Sequence, residues 1–261
     1  MYEMSIQIGD IPIRVRASDQ DFVTLLERRY RGYLGSDSGG ELLEIELHQP
    51  REDDDAEVTV RHGDGQWRIQ RGDFEAVWNP VDHRGKVRQA PSPYALDSTL
   101  RIIHSLVLSQ EGGFLVHGAS AIRNGRSHFF AGVSGAGKTT LARMAPADVT
   151  VLTDEISYIK KRGSEYIAYG TPFAGELGHA GENTSAPLGA WFMLLQGDDN
   201  RLEPIHNQGE AVRSLMKNIL FFAREPEWTA RIFHAVCDFV ARVPGYRMIF
   251  RRETAAWDLV Q

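Results

Sequence analysis

The chain has 261 residues, 42% hydrophobic and 25% charged, and its 29 Lys+Arg against 35 Asp+Glu give a net charge of −6. That length suits one large domain or two small ones with a sizeable core, and the acidic balance speaks against a nucleic-acid or membrane-surface partner. The single cysteine, Cys237, excludes an intrachain disulfide and a cysteine-based zinc site. No apolar run reaches membrane-spanning length, and residues 1–8 lack a basic region followed by an apolar segment, so a cytoplasmic location is expected.

The first third alternates. Ile6, Ile8, Ile11, Ile13 and Val15 repeat largely at period two around Gly9-Asp10, which predicts a hairpin. Phe22, Leu25, Leu26 and Tyr30 fit a short helix with Ser18 or Asp19 as its N-cap. Strands follow at Leu43-Glu44-Ile45-Glu46-Leu47, Val58-Thr59-Val60, Trp67-Arg68-Ile69 and Phe74-Glu75-Ala76-Val77-Trp78, with a turn at Gly63-Asp64-Gly65. Glu52-Asp53-Asp54-Asp55 reads as a solvated loop rather than a metal site, because nothing spaces its carboxylates around an ion. The proline-containing stretch at Pro91 and Pro93 predicts a boundary, giving a small strand-rich α+β domain over residues 1–93 and a second domain over 94–261.

From Tyr94 the period lengthens. Leu96, Leu100, Ile103 and Val107 share a helical face, with Ile102 and Leu106 beside it, and Gly112-Gly113 ends the helix. Apolar runs at residues 114–122 and 126–131 flank Asn124-Gly125, a strong hairpin signal. Further strands are expected at residues 149–152, 156–159, 166–169, 191–195 and 247–251. A loop is expected over 170–176, and amphipathic helices over 210–224 and 227–243. In the second helix Phe233, Val236, Cys237 and Val240 form the predicted apolar face, which makes Cys237 a buried small hydrophobe.

Gly132-Val133-Ser134-Gly135-Ala136-Gly137-Lys138-Thr139 fits G-x-x-x-x-G-K-[ST], the phosphate-binding P-loop. Its glycines let successive N–H groups converge on one anion. Lys138 reaches the β- and γ-phosphates, Thr139 holds Mg²⁺, and Thr140 continues into the helix whose dipole favours phosphate. The short apolar stretch before the loop and the helical start after it supply the strand–loop–helix context this motif needs. An antiparallel hairpin feeds the loop, where parallel strands joined by helices are the norm.

A kinase also needs a carboxylate for the metal and an acceptor for a hydroxyl proton. Asp154 and Glu155 end an apolar strand one short helix after Lys138, where such acids belong, and either can take either role. His117, at the end of the strand before the hairpin, is a candidate to orient the catalytic acid or contact phosphate. His179, in the glycine-rich loop after Glu176, is a weaker candidate. Arg213, Arg247, Arg251 and Arg252 are all available as a cation to complete the site.

Val116-His117-Gly118-Ala119-Ser120, the hairpin, the P-loop and Leu152-Thr153-Asp154-Glu155 together resemble the catalytic domain of HPr kinase/phosphorylase, and more closely the HPr-kinase-like proteins of the same phosphoenolpyruvate-carboxykinase-like clan. The resemblance covers about residues 94–261 and implies an α/β P-loop kinase fold with His117, Ser134, Lys138, Thr139 and Asp154 at functional positions. Gly170-Thr171-Pro172-Phe173 and Ala186-Pro187-Leu188 look like this broader group as well. The chain departs from the family where Glu155 replaces the second of two aspartates, which speaks against carrying over the reverse, phosphorylase reaction. Neither the signature for binding HPr protein nor the family's N-terminal domain is recognisable.

The expected function is an ATP- and Mg²⁺-dependent phosphotransferase acting on a hydroxyl of a protein serine or a small molecule. Lys138, Asp154, Glu155 and His117 form its catalytic set. Gly132, Ser134, Gly135, Ala136, Gly137, Lys138, Thr139 and Thr140 bind nucleotide, and Thr139 with Asp154 or Glu155 binds metal. The alternatives are a non-catalytic ATP-binding regulatory module and a simple ATPase. The expected partners are a nucleoside triphosphate and a phosphoacceptor, with no nucleic acid or membrane; a homo-oligomer is compatible with the chain.

Overall fold

The computed structural model describes residues 1–35, 39–48, 57–173, 175 and 181–260. It is a mixed α/β structure with two sheets and few helices. The chain divides into two compact units, Met1–Val107 with Phe222–Thr229, and Leu108–Phe221 with Ala230–Gln261. The acidic run at residues 52–55, together with Glu176 and His179, lies outside the described residues. No helix among the described residues is long and apolar enough to cross a membrane.

In the first unit β1 (Tyr2–Ile8) and β2 (Ile11–Ala17) form a hairpin. Gly9 and Asp10 take φ values of 57° and 58°, the two positive angles a two-residue turn of this kind needs. Helix α1 (Gln20–Arg29) starts at Asp19, whose carboxylate accepts the Phe22 N–H at 2.8 Å. Strands β3 (Glu41–Leu47), β4 (Thr59–Gly63), β5 (Gln66–Arg71), β6 (Phe74–Asn79) and β7 (Arg84–Gln89) complete a sheet of order β1-β2-β3-β7-β6-β5-β4. Strand β7 is absent from the sequence reading because two of its three inward residues, Gly85 and Gln89, are not apolar. Helix α2 (Pro93–Gln110) begins at the boundary expected from sequence, whereas the division between units falls at Val107. Its buried Asp97 accepts hydrogen bonds from Arg29 and Tyr30, each at 2.6 Å, which ties α2 to the end of α1.

The second unit contains β8 (Phe114–Arg123), β9 (Arg126–Ala131), α3 (Lys138–Arg143), β10 (Thr150–Thr153), β11 (Ile156–Arg162), β12 (Glu165–Tyr169) and β13 (Ser185–Gln196). It continues with β14 (Arg201–Pro204), α4 (Gln208–Met216), β15 (Ile219–Leu220), α5 (Pro226–Arg242) from Ala230 onward and β16 (Gly245–Phe250), and ends in a 3-10 helix, Thr254–Leu259. The β8–β9 hairpin turns through Asn124 and Gly125 at φ 52° and 74°. Strand β8 changes partners at its middle: β11 and β15 pair with its first half, β9 and β10 with its second. Gly118 sits at this switch, where a Cβ would lie 2.7 Å from the Phe130 carbonyl oxygen. Strands β9, β13 and β16 run parallel, with Phe130, Phe192 and Tyr246 in register.

Alternation along β9 sends Phe129 and Phe130 to opposite faces. Phe129 joins a core with Trp191, Leu215, Val236 and Phe239, under α4 and α5. Phe130 joins another with Phe192, Leu141, Phe250 and Trp257, under α3 and the 3-10 helix. Two sequence expectations are corrected here. The helix expected over 210–224 stops at Met216, because Ile219 and Leu220 pair with Val116 and Leu115 of β8 as a short strand. The buried face of α5 carries Ile232, Ala235, Val236 and Phe239, which leaves Phe233 exposed and Cys237 only half-buried.

Candidate functional site

The glycine-rich segment joins β9 to α3, and two of its residues need glycine. Gly135 and Gly137 take φ values of 79° and 106°, where L side chains are strained. A Cβ on Gly137 would also lie 2.8 Å from the Phe250 ring. Gly137 occupies the N-cap position of α3, so the loop turns directly into the helix. Lys138 is 8% exposed. Its ammonium folds back over the loop and donates to the carbonyls of Gly132 at 2.9 Å and Val133 at 3.3 Å. Gln196, the last residue of β13, donates to the Gly135 carbonyl at 2.6 Å.

The two acids follow β10. The Thr153 hydroxyl accepts from the N–H groups of Glu155 at 3.2 Å and Ile156 at 3.3 Å, forming a tight turn that sets Asp154 between β10 and β11. Asp154 is 4% exposed, and its Oδ1 accepts the Gly175 N–H at 3.0 Å. A side chain at Gly175 would meet the other carboxylate oxygen at 2.8 Å. Glu155 is half-buried, and its carbonyl accepts from Gly118 N–H at 2.8 Å. His117, opposite Ile156 in the β8–β11 ladder, is thereby brought beside the acid pair.

His117, Ser134, Gly135, Gly137, Lys138, Thr139, Thr140, Asp154 and Glu155 line one cleft of about 530 Å³, together with Gly175 and Arg252. Gly132 and Ala136 are buried beneath it: Gly132 supplies a carbonyl to Lys138, and Ala136 packs in the Phe130–Trp257 core. Asn218, in the turn after α4, is a residue sequence reasoning missed. Its Oδ1 accepts the Gly132 N–H at 3.3 Å and its carbonyl accepts the His117 N–H at 2.7 Å, so one residue ties the loop to the His117 strand. No sequence signal marks Asn218 or Gln196. Gly175 lies in a loop that was foreseen without a role for it, and Arg252 is one of four arginines the sequence leaves equal.

The cleft mixes cations, Lys138 and Arg252, with two carboxylates, and its other side-chain donors are hydroxyls and one imidazole. Among the described residues no three His, Cys, Asp or Glu side chains gather as a metal site. An oxygen-donor set of Thr139, Asp154 and Glu155 fits Mg²⁺ all the same, since that ion keeps waters and takes one or two carboxylates plus substrate phosphates.

Fold and cleft define an α/β protein in which a strand–glycine loop–helix segment faces an acidic strand end. Residues 94–260 match the family described as SynChlorMet cassette protein ScmC, and the chain belongs to that family. No curated protein matches it. Among solved structures, the Hpr(Ser) kinase/phosphatase from Coxiella burnetii matches at 6% identity over 52% of this chain and 84% of that one, with a TM-score of 0.32, a slight likeness.

Proposed function

We propose that the chain is an ATP- and Mg²⁺-dependent phosphotransferase that phosphorylates a hydroxyl. One observation carries this reading: a G-x-x-x-x-G-K-T loop, two adjacent acids and a histidine, separated by up to 38 positions in sequence, face a single cleft. The backbone of residues 132–139 cradles the phosphates, helped by the N-terminus of α3. Lys138 neutralises charge on the β- and γ-phosphate oxygens. Thr139 and one of Asp154 and Glu155 hold Mg²⁺, which when bound supplies further charge neutralisation on the same oxygens. The other acid accepts the proton of the attacking hydroxyl, and His117 beside the pair orients it. Catalysis is then mostly positioning and electrostatics. A protein serine or a small molecule serves as acceptor.

Incubating the protein with Mg²⁺ and γ-labelled ATP, with and without cell extract, tests this. Label moves to an extract component, and Lys138→Ala reduces the transfer by at least about 100-fold while its circular dichroism spectrum stays that of a folded chain. Phosphate release without transfer indicates an ATPase, and tight binding with neither indicates a regulatory module; either result overturns the kinase reading.

A further inference from the structure

We infer that Arg252 is the catalytic arginine of this site, the cation that binds the phosphoryl group in flight; the inference rests on the phosphotransferase reading above. Parallel strands deliver their C-terminal ends to one edge of a sheet, where open α/β sheets bind ligands. Here β9, β13 and β16 are adjacent and parallel. Strand β9 ends in the glycine-rich loop. Strand β13 ends at Gln196, which holds the Gly135 carbonyl. Strand β16 ends at Phe250, opposite Gln196 in the ladder and with its ring against Gly137. Arg252 lies two residues beyond that register point, on the third of three strand ends converging on the loop, and it lines the cleft.

The other arginines are placed elsewhere. Arg247 is paired with Glu210. Arg213 and Arg251 do not line the cleft. Arg252 has no ion-pair or hydrogen-bond partner among the described residues, and it is exposed at the rim. Lys138 donates to the Gly132 and Val133 carbonyls of the loop itself. A planar guanidinium exposed in the lining of the same cleft suits the equatorial oxygens of a transferring phosphoryl group, which accept paired hydrogen bonds.

The step this serves is balanced. The bond from the γ-phosphorus to the β,γ-bridging oxygen breaks and its electron pair leaves with ADP. A bond forms from the acceptor oxygen to the same phosphorus, and the hydroxyl proton passes to a carboxylate of the Asp154/Glu155 pair. Arg252 neutralises charge on the equatorial oxygens.

Calorimetric titration of wild type, Arg252→Ala and Arg252→Lys with Mg·ADP, and with Mg·ADP plus aluminium fluoride as a mimic of the phosphoryl in flight, tests the assignment without knowledge of the acceptor. Arg252→Ala is expected to bind Mg·ADP within about 3-fold of wild type and to lose about 1,000-fold or more for the aluminium fluoride complex, the order by which such arginines act, with partial recovery in Arg252→Lys. Equal binding of the mimic by wild type and Arg252→Ala overturns the inference and leaves the phosphotransferase reading standing, as does an equal loss for both ligands. Failure of wild type to bind either nucleotide overturns both.

Discussion

Gly135 and Gly137 separate two reasons for glycine that a sequence motif runs together. Both have left-handed φ, but a Cβ on Gly135 meets nothing within 4 Å, whereas one on Gly137 meets Phe250 at 2.8 Å. Gly135→Ala therefore costs backbone strain alone, about 1 kcal/mol. Gly137→Ala adds displacement of a ring that is 1% exposed, for about 2–3 kcal/mol in total. Because that ring anchors the end of β16, Gly137→Ala also moves the loop. Urea melts and Mg·ADP titration should rank the variants Gly137→Ala worse than Gly135→Ala in both, and equal losses would show that Phe250 does not define the loop. The motif was legible in sequence because all its members are contiguous and its chemistry is carried by backbone amides, one ammonium and one hydroxyl. Gly175 was not legible as a site residue, since its role is a single N–H given to Asp154 from a loop 21 positions away.

The β1–β2, β4–β5 and β8–β9 hairpins were read correctly because their turns carry Gly9-Asp10, Asp64-Gly65 and Asn124-Gly125 at positive φ, a purely local demand. The C-terminal half of the helix expected over 210–224 failed for the opposite reason. Leu215, Met216, Ile219 and Leu220 keep helical spacing, but β8 has an unpaired edge there, and pairing it outweighs one more helical turn. Asn218 sits at the changeover. Its backbone closes the turn onto Leu215 and receives His117, while its side chain bridges the Gly132 N–H and the Ser214 carbonyl. Asn218→Ala should leave both groups short of a partner and destabilise the fold by about 1–3 kcal/mol. It should also raise amide hydrogen exchange of residues 132–138 more than that of β12, which Asn218 does not touch. Asn218→Asp keeps the acceptor for Gly132 and should preserve loop protection. Uniform exchange across the unit in Asn218→Ala would mean that the residue stabilises without ordering the loop.

On the scale of the whole molecule, the sheet that gathers the site also buries a titratable group it does not use. His128, in the middle of β9, is 2% exposed, and neither ring nitrogen has a hydrogen-bond partner among the described residues. It packs 5.9 Å from Phe192, and a Cβ on Gly189 would come within 3.0 Å of it. Burial, with a smaller contribution from the positive Arg123, lowers its pKa from 6.5 to about 4. The folded state therefore requires the neutral ring, while the unfolded chain takes up a proton near 6.5. The stability that follows is fully present above pH 6.5 and is lost progressively as pH falls toward 4, reaching about 3 kcal/mol. Asp238, held low chiefly by its hydrogen bond from Lys161, acts in the same direction but below the ordinary carboxylate range, so it leaves the upper window to His128. Urea midpoints followed by tryptophan fluorescence, with Trp191 in one core of this sheet and Trp257 in the other, should fall between pH 6.5 and 5 in wild type. His128→Leu, close in volume and unable to titrate, should flatten that slope while leaving Mg·ADP affinity at pH 7.5 unchanged, because the ring does not line the cleft. An unflattened slope in His128→Leu would place the pH sensitivity of this sheet in another group.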